Sequence, residues 1–243
     1  MAKKGYKAVK SGSKDRTPIA LIVGIVVIAI LVVLVLIQVG KPKVPAAGAS
    51  DPSIPAGIAT GLTPDGLATL GSSDAAVKVT IFEDYGCHNC KAFYDNYEAD
   101  FIDQFVATGD VQLISYPVAF VNAQSIPGAE AAACALEQGQ EQFWSYRHLL
   151  FINQGITPFT RDNLVDFAKT AGLNSGNFSS CYDQGKYKSQ VRERTDQAFT
   201  LGVKGTPTFN IGGNLVEGVL PVDSQDPASP SLKQLIDPLL ENN

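Results

Sequence analysis

Cys87-His88-Asn89-Cys90 sits where an apolar strand gives way to an amphipathic helix, and this junction constrains the chain more than any other feature. Val77, Val79 and Ile81 alternate with Lys78 and Thr80, the period-two pattern of a strand. After the cysteines, Phe93, Tyr94, Tyr97, Phe101, Ile102 and Phe105 recur at helical spacing. Lys91, Asp95, Glu98, Asp100 and Asp103 fall largely between them. A helix N-terminus carries partial positive charge and unsatisfied N–H groups, and both stabilise a thiolate. Two cysteines placed there read as a redox-active dithiol, with Cys87 the exposed nucleophile and Cys90 the more buried resolving cysteine. The competing reading is an inert structural pair.

Downstream, Val111, Leu113 and Ser115 form a second strand closed by Pro117. Residues 120–201 read as mostly helical, with helices over Ala129 to Glu137, Gln140 to Phe151, Arg161 to Ala171 (capped by Thr160) and Lys186 to Leu201. Strand character returns at Thr208 to Ile211, turns at Gly212-Gly213-Asn214, and comes back through Leu215, Val216 and Val219. Leu232 to Leu240 closes the chain as a helix. Upstream, Pro64-Asp65-Gly66 marks a lead-in hairpin within Ile58 to Leu70.

The first 43 residues differ in kind. They hold eight lysines and arginines against one acid, while the remaining 200 hold eleven basic and twenty-three acidic residues. An acidic globular part argues against nucleic-acid binding, which needs a basic face. Ile19 to Val39 is apolar apart from Gln38. Such a run makes about 31 Å of helix, enough to cross a hydrocarbon core. Six basic residues precede it, so the positive-inside rule puts the N-terminus in the cytoplasm and the bulk of the chain outside. A cleaved signal peptide is the rival, with Ala47-Gly48-Ala49 as its cleavage site. The run exceeds a signal h-region, and the site lies well past it. The expected organisation is a cytoplasmic tail over 1–18, a transmembrane helix over 19–39, a Pro/Ala/Gly linker over 40–56 and a folded domain over 57–243.

Three stretches together resemble the DsbA-like branch of the thioredoxin superfamily. They are Phe82-Glu83-Asp84-Tyr85-Gly86-Cys87-His88-Asn89-Cys90, Phe143 to Phe151 with Asn153-Gln154, and Gly202 to Phe209 with its Gly-Thr-Pro-Thr-Phe. The likeness covers about residue 70 to the end. It implies an α/β thioredoxin-like fold with a helical insertion at about 120–201. It also implies that Pro207 is cis, opposite the cysteines, so that the backbone of Thr206 is open to an extended substrate. A proline brings no N–H to compete for that substrate.

Two departures stand out. His88 replaces the proline common after the first cysteine, and Ile81 replaces an acid six residues before it. His88 could hydrogen-bond or electrostatically favour the Cys87 thiolate, or simply face solvent. Glu83 shares strand parity with Ile81 and is a candidate for proton handling; the other reading is a solvated strand-end carboxylate. Asp84 matches a family position, or caps a turn or the helix start. The resemblance supports a structural bridge between Cys134 and Cys181, since some exported members carry a second pair there; a second redox relay is the alternative. By chain entropy, a loop of this length contributes about 3–4 kcal/mol. Phe143, Trp144 and Phe151 read as core, and His148 as a local or interdomain contact.

The residues and the resemblance together imply a membrane-tethered, extracytoplasmic thiol–disulfide oxidoreductase that donates its Cys87–Cys90 disulfide to exported proteins and is reoxidised by a membrane oxidase. No cofactor is expected, and no metal, because Cys87, His88 and Cys90 lack a fourth ligand at suitable spacing. The rivals are a reductase or isomerase, a non-catalytic chaperone or binding protein that keeps the fold, and a copper- or zinc-handling module.

Overall fold

The computed structural model describes residues 28, 30, 51–224 and 230–241. The chain divides into two units, residues 1–43 and 44–243. Only Ile28 and Ile30 of the first unit are described, both helical and exposed. Apart from these two residues, the expected tail and spanning segment therefore lie outside the described residues, as does the linker up to residue 50. No helix among the described residues is long and apolar enough to cross a membrane.

In the second unit, β1 (Thr60–Leu62) and β2 (Ala68–Leu70) form the lead-in hairpin, followed by β3 (Val77–Glu83). Helix α1 spans residues 88–106 and includes π turns at Tyr94–Glu98 and Ile102–Val106. Then come β4 (Val111–Pro117) and five helices: α2 (Ser125–Leu136), α3 (Gln140–Asn153), α4 (Arg161–Thr170), α5 (Ser175–Asp183) and α6 (Lys188–Leu201). Strands β5 (Thr208–Ile211) and β6 (Asn214–Glu217) and helix α7 (Leu232–Leu240) complete the unit.

The strands form one sheet in the order β1-β2-β4-β3-β5-β6. Strands β3 and β4 are parallel, joined by α1 as a crossover, and all other neighbours are antiparallel. Val77, Val79 and Ile81 of β3 are buried, as their alternation requires. Phe93 of α1 meets Phe209 of β5 edge-on, with centroids 4.9 Å apart, so the start of α1 is packed onto the sheet. The helical block lies between β4 and β5 in sequence and shares one core with the sheet: Phe143, Trp144, Phe151 and Phe167 are all buried in it.

The periodicity reading placed most helices within a few residues of their bounds but resolved no separate helix at Ser175–Asp183. That segment begins Ser-Gly-Asn and has little apolar periodicity; the Asn174 side chain caps it by accepting the Asn177 N–H. The chain is also packed further upstream than the expected linker allows. Asp51 is 3% exposed and accepts hydrogen bonds from the Tyr94 hydroxyl and from Ser53.

Candidate active site

Strand β3 ends at Glu83, and the next four residues turn the chain into α1. The Asp84 carboxylate builds that turn. Its Oδ1 accepts the Gly86 N–H at 2.7 Å, and its Oδ2 accepts those of Phe120 and Val121 at 2.8 and 3.0 Å. The Cys87 N–H donates to the Asp84 carbonyl at 2.9 Å. Gly86 is required by crowding, because a Cβ there would lie 2.7 Å from Ser125 Oγ. Cys87 occupies the N-cap position of α1 with an extended backbone and no side-chain cap of its own. The first-turn N–H groups are thus left to its sulfur.

Both cysteines are free thiols. Cys87 is 5% exposed and Cys90 2%: both are buried, which corrects the expectation of an exposed Cys87, and Cys90 is the more covered of the two. The Cys90 Sγ accepts the Asp84 N–H at 3.4 Å. The Cys87 Sγ lies 3.2 Å from the Thr206 carbonyl oxygen. The Thr206–Pro207 peptide is cis, and Thr206 Oγ1 is buried with no hydrogen-bond partner among the described residues. The fold therefore brings together Cys87, Cys90, Thr206 and Pro207 from the two ends of the domain. His88 projects into solvent, and no hydrogen bond among the described residues joins it to Cys87.

The surroundings drive the two thiols apart. The Cys90 thiol, and after it the Thr206 side chain and the Cys90 and Asn89 N–H groups, favour a charged sulfur strongly enough to overcome desolvation, and they lower Cys87 to about 5. Burial, followed by the adjacent Cys87, pushes Cys90 well above the usual thiol range. One sulfur is a thiolate at neutral pH and the other its proton-bearing neighbour, the division of labour that thiol–disulfide exchange needs.

Glu83 is not solvated. It is fully buried, and Arg147 of α3, also fully buried, holds it with bonds of 2.8 and 2.7 Å. The Ser115 hydroxyl donates to it as well, at 2.6 Å. The same guanidinium reaches Glu98 of α1 at 2.6 and 2.7 Å. Burial raises Glu98 to about 7 against the pull of Arg147. Aromatic rings of Phe151, Trp144 and Tyr94 pack around the guanidinium at 4.8–5.7 Å. Neither the Glu83 nor the Asp84 carboxylate makes a hydrogen bond to either sulfur among the described residues; Asp84 reaches Cys90 only through its backbone N–H. His148 contacts the Tyr94 hydroxyl through Nδ1 and lies 3.6 Å from Asp51. Cys134 of α2 and Cys181 of α5 form a disulfide.

The sequence reading missed the partnership of Arg147 with Glu98. Its signal was an arginine on a helix whose neighbouring positions 143, 144, 146, 149, 150 and 151 are all apolar or aromatic. A charge in such a stretch needs a buried partner.

A four-stranded β4-β3-β5-β6 core, a dithiol at the start of its crossover helix, a cis-proline loop across from it and a helical insertion define a thiol–disulfide oxidoreductase of the DsbA-like class. The family model described as thioredoxin matches residues 63–229, and the chain belongs to that family. It is 28% identical to disulfide bond formation protein D of Bacillus subtilis, over 65% of this chain and 73% of that protein. It superposes on oxidised BdbD of Bacillus subtilis with a TM-score of 0.65 at 24% identity, covering 82% of this chain and 100% of that one. Against Chlamydia trachomatis DsbA the TM-score is 0.58 at 21% identity, covering 83% and 96%.

Proposed function

We propose that this protein introduces disulfides into exported proteins from a position tethered to the outer face of the cell membrane. The observation that carries the reading is the placement of Cys87 at the N-cap of α1, with its sulfur 3.2 Å from the Thr206 carbonyl beside cis-Pro207, in surroundings that lower its thiol to about 5. A stabilised thiolate stabilises the dithiol form, and this makes the disulfide form an oxidant. A reductant needs the opposite balance, so the geometry favours donation.

In the reaction, a substrate thiolate attacks Cys87 Sγ of the oxidised protein. The Cys87–Cys90 bond breaks, a mixed disulfide forms, and Cys90 leaves with the electron pair and takes up a proton. A second substrate thiolate then attacks the substrate sulfur of the mixed disulfide and releases the Cys87 thiolate. The substrate loses two electrons to the dithiol, and a membrane oxidase would take them onward. Thr206 and Pro207 offer backbone to an extended substrate beside the reacting sulfur. The Asp84 carboxylate shapes the turn and the Glu83 carboxylate anchors Arg147; either carboxylate reaches a sulfur only indirectly. His88 lies at the mouth of the site, where it can meet a substrate. Cys134–Cys181 serves as a structural bridge in the insertion.

Tethering rests on the apolar run Ile19 to Val39 with its basic flank. A persistent structural disulfide suits an extracytoplasmic domain. Transfer is tested by mixing the oxidised protein with one equivalent of a reduced dithiol peptide and weighing both. The peptide should lose two hydrogens and the protein gain two. A peptide that stays reduced overturns the reading, and Cys87→Ser should abolish the transfer.

A further inference from the structure

The turn that presents Cys87 has backbone carbonyls that no strand or helix fully satisfies. Two side chains from outside β3 and α1 meet them. Gln154 Nε2 donates to the Tyr85 carbonyl at 2.6 Å and to the Cys87 carbonyl at 3.1 Å. Asn122 Nδ2 donates to the Gly86 carbonyl at 2.6 Å. Three consecutive carbonyls, Tyr85, Gly86 and Cys87, are thereby held by two amide side chains.

Both amides are themselves braced. Asn122 accepts the Gln124 N–H on Oδ1 at 2.8 Å, and its own N–H donates to Ser125 Oγ at 2.9 Å. Gln154 leaves α3 at a turn in which the Ile156 and Thr157 N–H groups both donate to the Asn153 carbonyl, at 3.0 and 2.9 Å. Asn153 is buried and fastened to the Leu149 carbonyl at 2.8 Å.

The Cys87 carbonyl matters most. It belongs to the peptide plane joining Cys87 to His88, the first plane of α1, and it also accepts the Lys91 N–H that opens the helix. That plane carries the His88 N–H, and its orientation sets the direction in which the next two planes, which carry the Asn89 and Cys90 N–H groups, leave the Cys87 sulfur. Those two groups are among the stabilisers of the thiolate. The N-cap residue offers no side-chain cap of its own to fix the plane.

We propose that Gln154, assisted by Asn122, is a positioning residue that clamps the peptide planes of the reactive turn from the helical insertion and so sets the redox poise of the Cys87–Cys90 pair. The insertion thereby acts on the chemistry without touching a sulfur. The proposal rests on the reading of Cys87 as the reactive thiolate.

The test compares the parent full-length protein with Gln154→Met, which keeps the length and removes the donor, and with Gln154→His, which keeps an N–H at similar reach. The readouts are the pH midpoint of thiolate absorbance in the reduced form and the equilibrium with glutathione at fixed pH. The parent should titrate at about 5. Gln154→Met should move the midpoint up by about one unit and make the disulfide correspondingly less oxidising. Gln154→His should return the glutathione equilibrium toward the parent value. Asn122→Leu, at an exposed position with little folding risk, should shift both readouts in the direction of Gln154→Met. A parent midpoint near the ordinary cysteine value of about 8.5 would overturn the thiolate reading and the clamp with it. A parent at about 5 with both donor-free variants unchanged would overturn the clamp alone.

Discussion

Cys87 Sγ lies 3.2 Å from the carbonyl oxygen of Thr206, a residue 119 positions away in sequence. The contact joins the start of α1 to the loop before β5, so the reactive sulfur and the backbone beside Pro207 form one surface. The Thr206 hydroxyl, buried and without a hydrogen-bond partner among the described residues, completes that surface once Cys87 is ionised. An orphaned hydroxyl beside a thiol costs free energy that a thiolate acceptor relieves.

Thr206→Val keeps the shape of the side chain and removes the donor. The Cys87 midpoint should rise by about one to two units, the range expected for one lost hydrogen bond to a charged group. Ultraviolet titration of the reduced protein measures it. An unmoved midpoint would show that the hydroxyl does not face the sulfur.

Cys87 also ties stability to pH, and only in the reduced form. Its folded value of about 5 lies below the unfolded one, so the contribution is complete above the unfolded value of about 8.5. It is lost as pH falls toward about 5. The melting temperature of the reduced protein relative to the oxidised one should therefore climb between those limits, and Cys87→Ser should flatten the difference.

Glu98 acts in the opposite sense. Its folded value is raised to about 7, so the protonated form is favoured in the native state. The stabilisation is complete below the unfolded carboxylate value of about 4.3 and is lost as pH rises through the folded one. Glu98→Gln should flatten this decline in denaturant midpoint between about pH 4.3 and 7.

Arg147 holds two buried carboxylates at once, so its removal leaves both uncompensated. Arg147→Met should cost about 3–5 kcal/mol in denaturant unfolding. Replacing Glu83 and Glu98 by leucine in the same chain should recover much of that loss, because an apolar trio avoids the desolvation penalty. A single variant that unfolds no more easily than the parent would mean the cluster is not buried in solution.

The arrangement around β3 was legible because local pattern and tertiary role agree there. Alternation in Val77 to Ile81 marked the strand, and Cys87 and Cys90 fell at a helix start on apolar periodicity alone. Resemblance, rather than pattern, pointed to Pro207, since nothing local signals what a loop 117 residues beyond Cys90 will face. Of the two readings of Glu83, the solvated one fails because its partner Arg147 arrives from α3, 64 residues later. Gln154 and Asn122 carried no signal of their own; an amide in a loop reads as solvent-facing until the fold places carbonyls beneath it. Asp51 looked like linker because proline-rich composition outweighed one acid whose partners, Tyr94 and His148, lie in α1 and α3.

The direction in which Cys87–Cys90 moves electrons separates a disulfide donor from a reductant. The most direct measurement is the reduction potential of that pair in the full-length protein, equilibrated with glutathione at neutral pH and read by mass after thiol trapping. An acidic Cys87 predicts a value near about −120 mV, that of a strong disulfide donor. A value near about −270 mV, that of a cytosolic reductant, would contradict it.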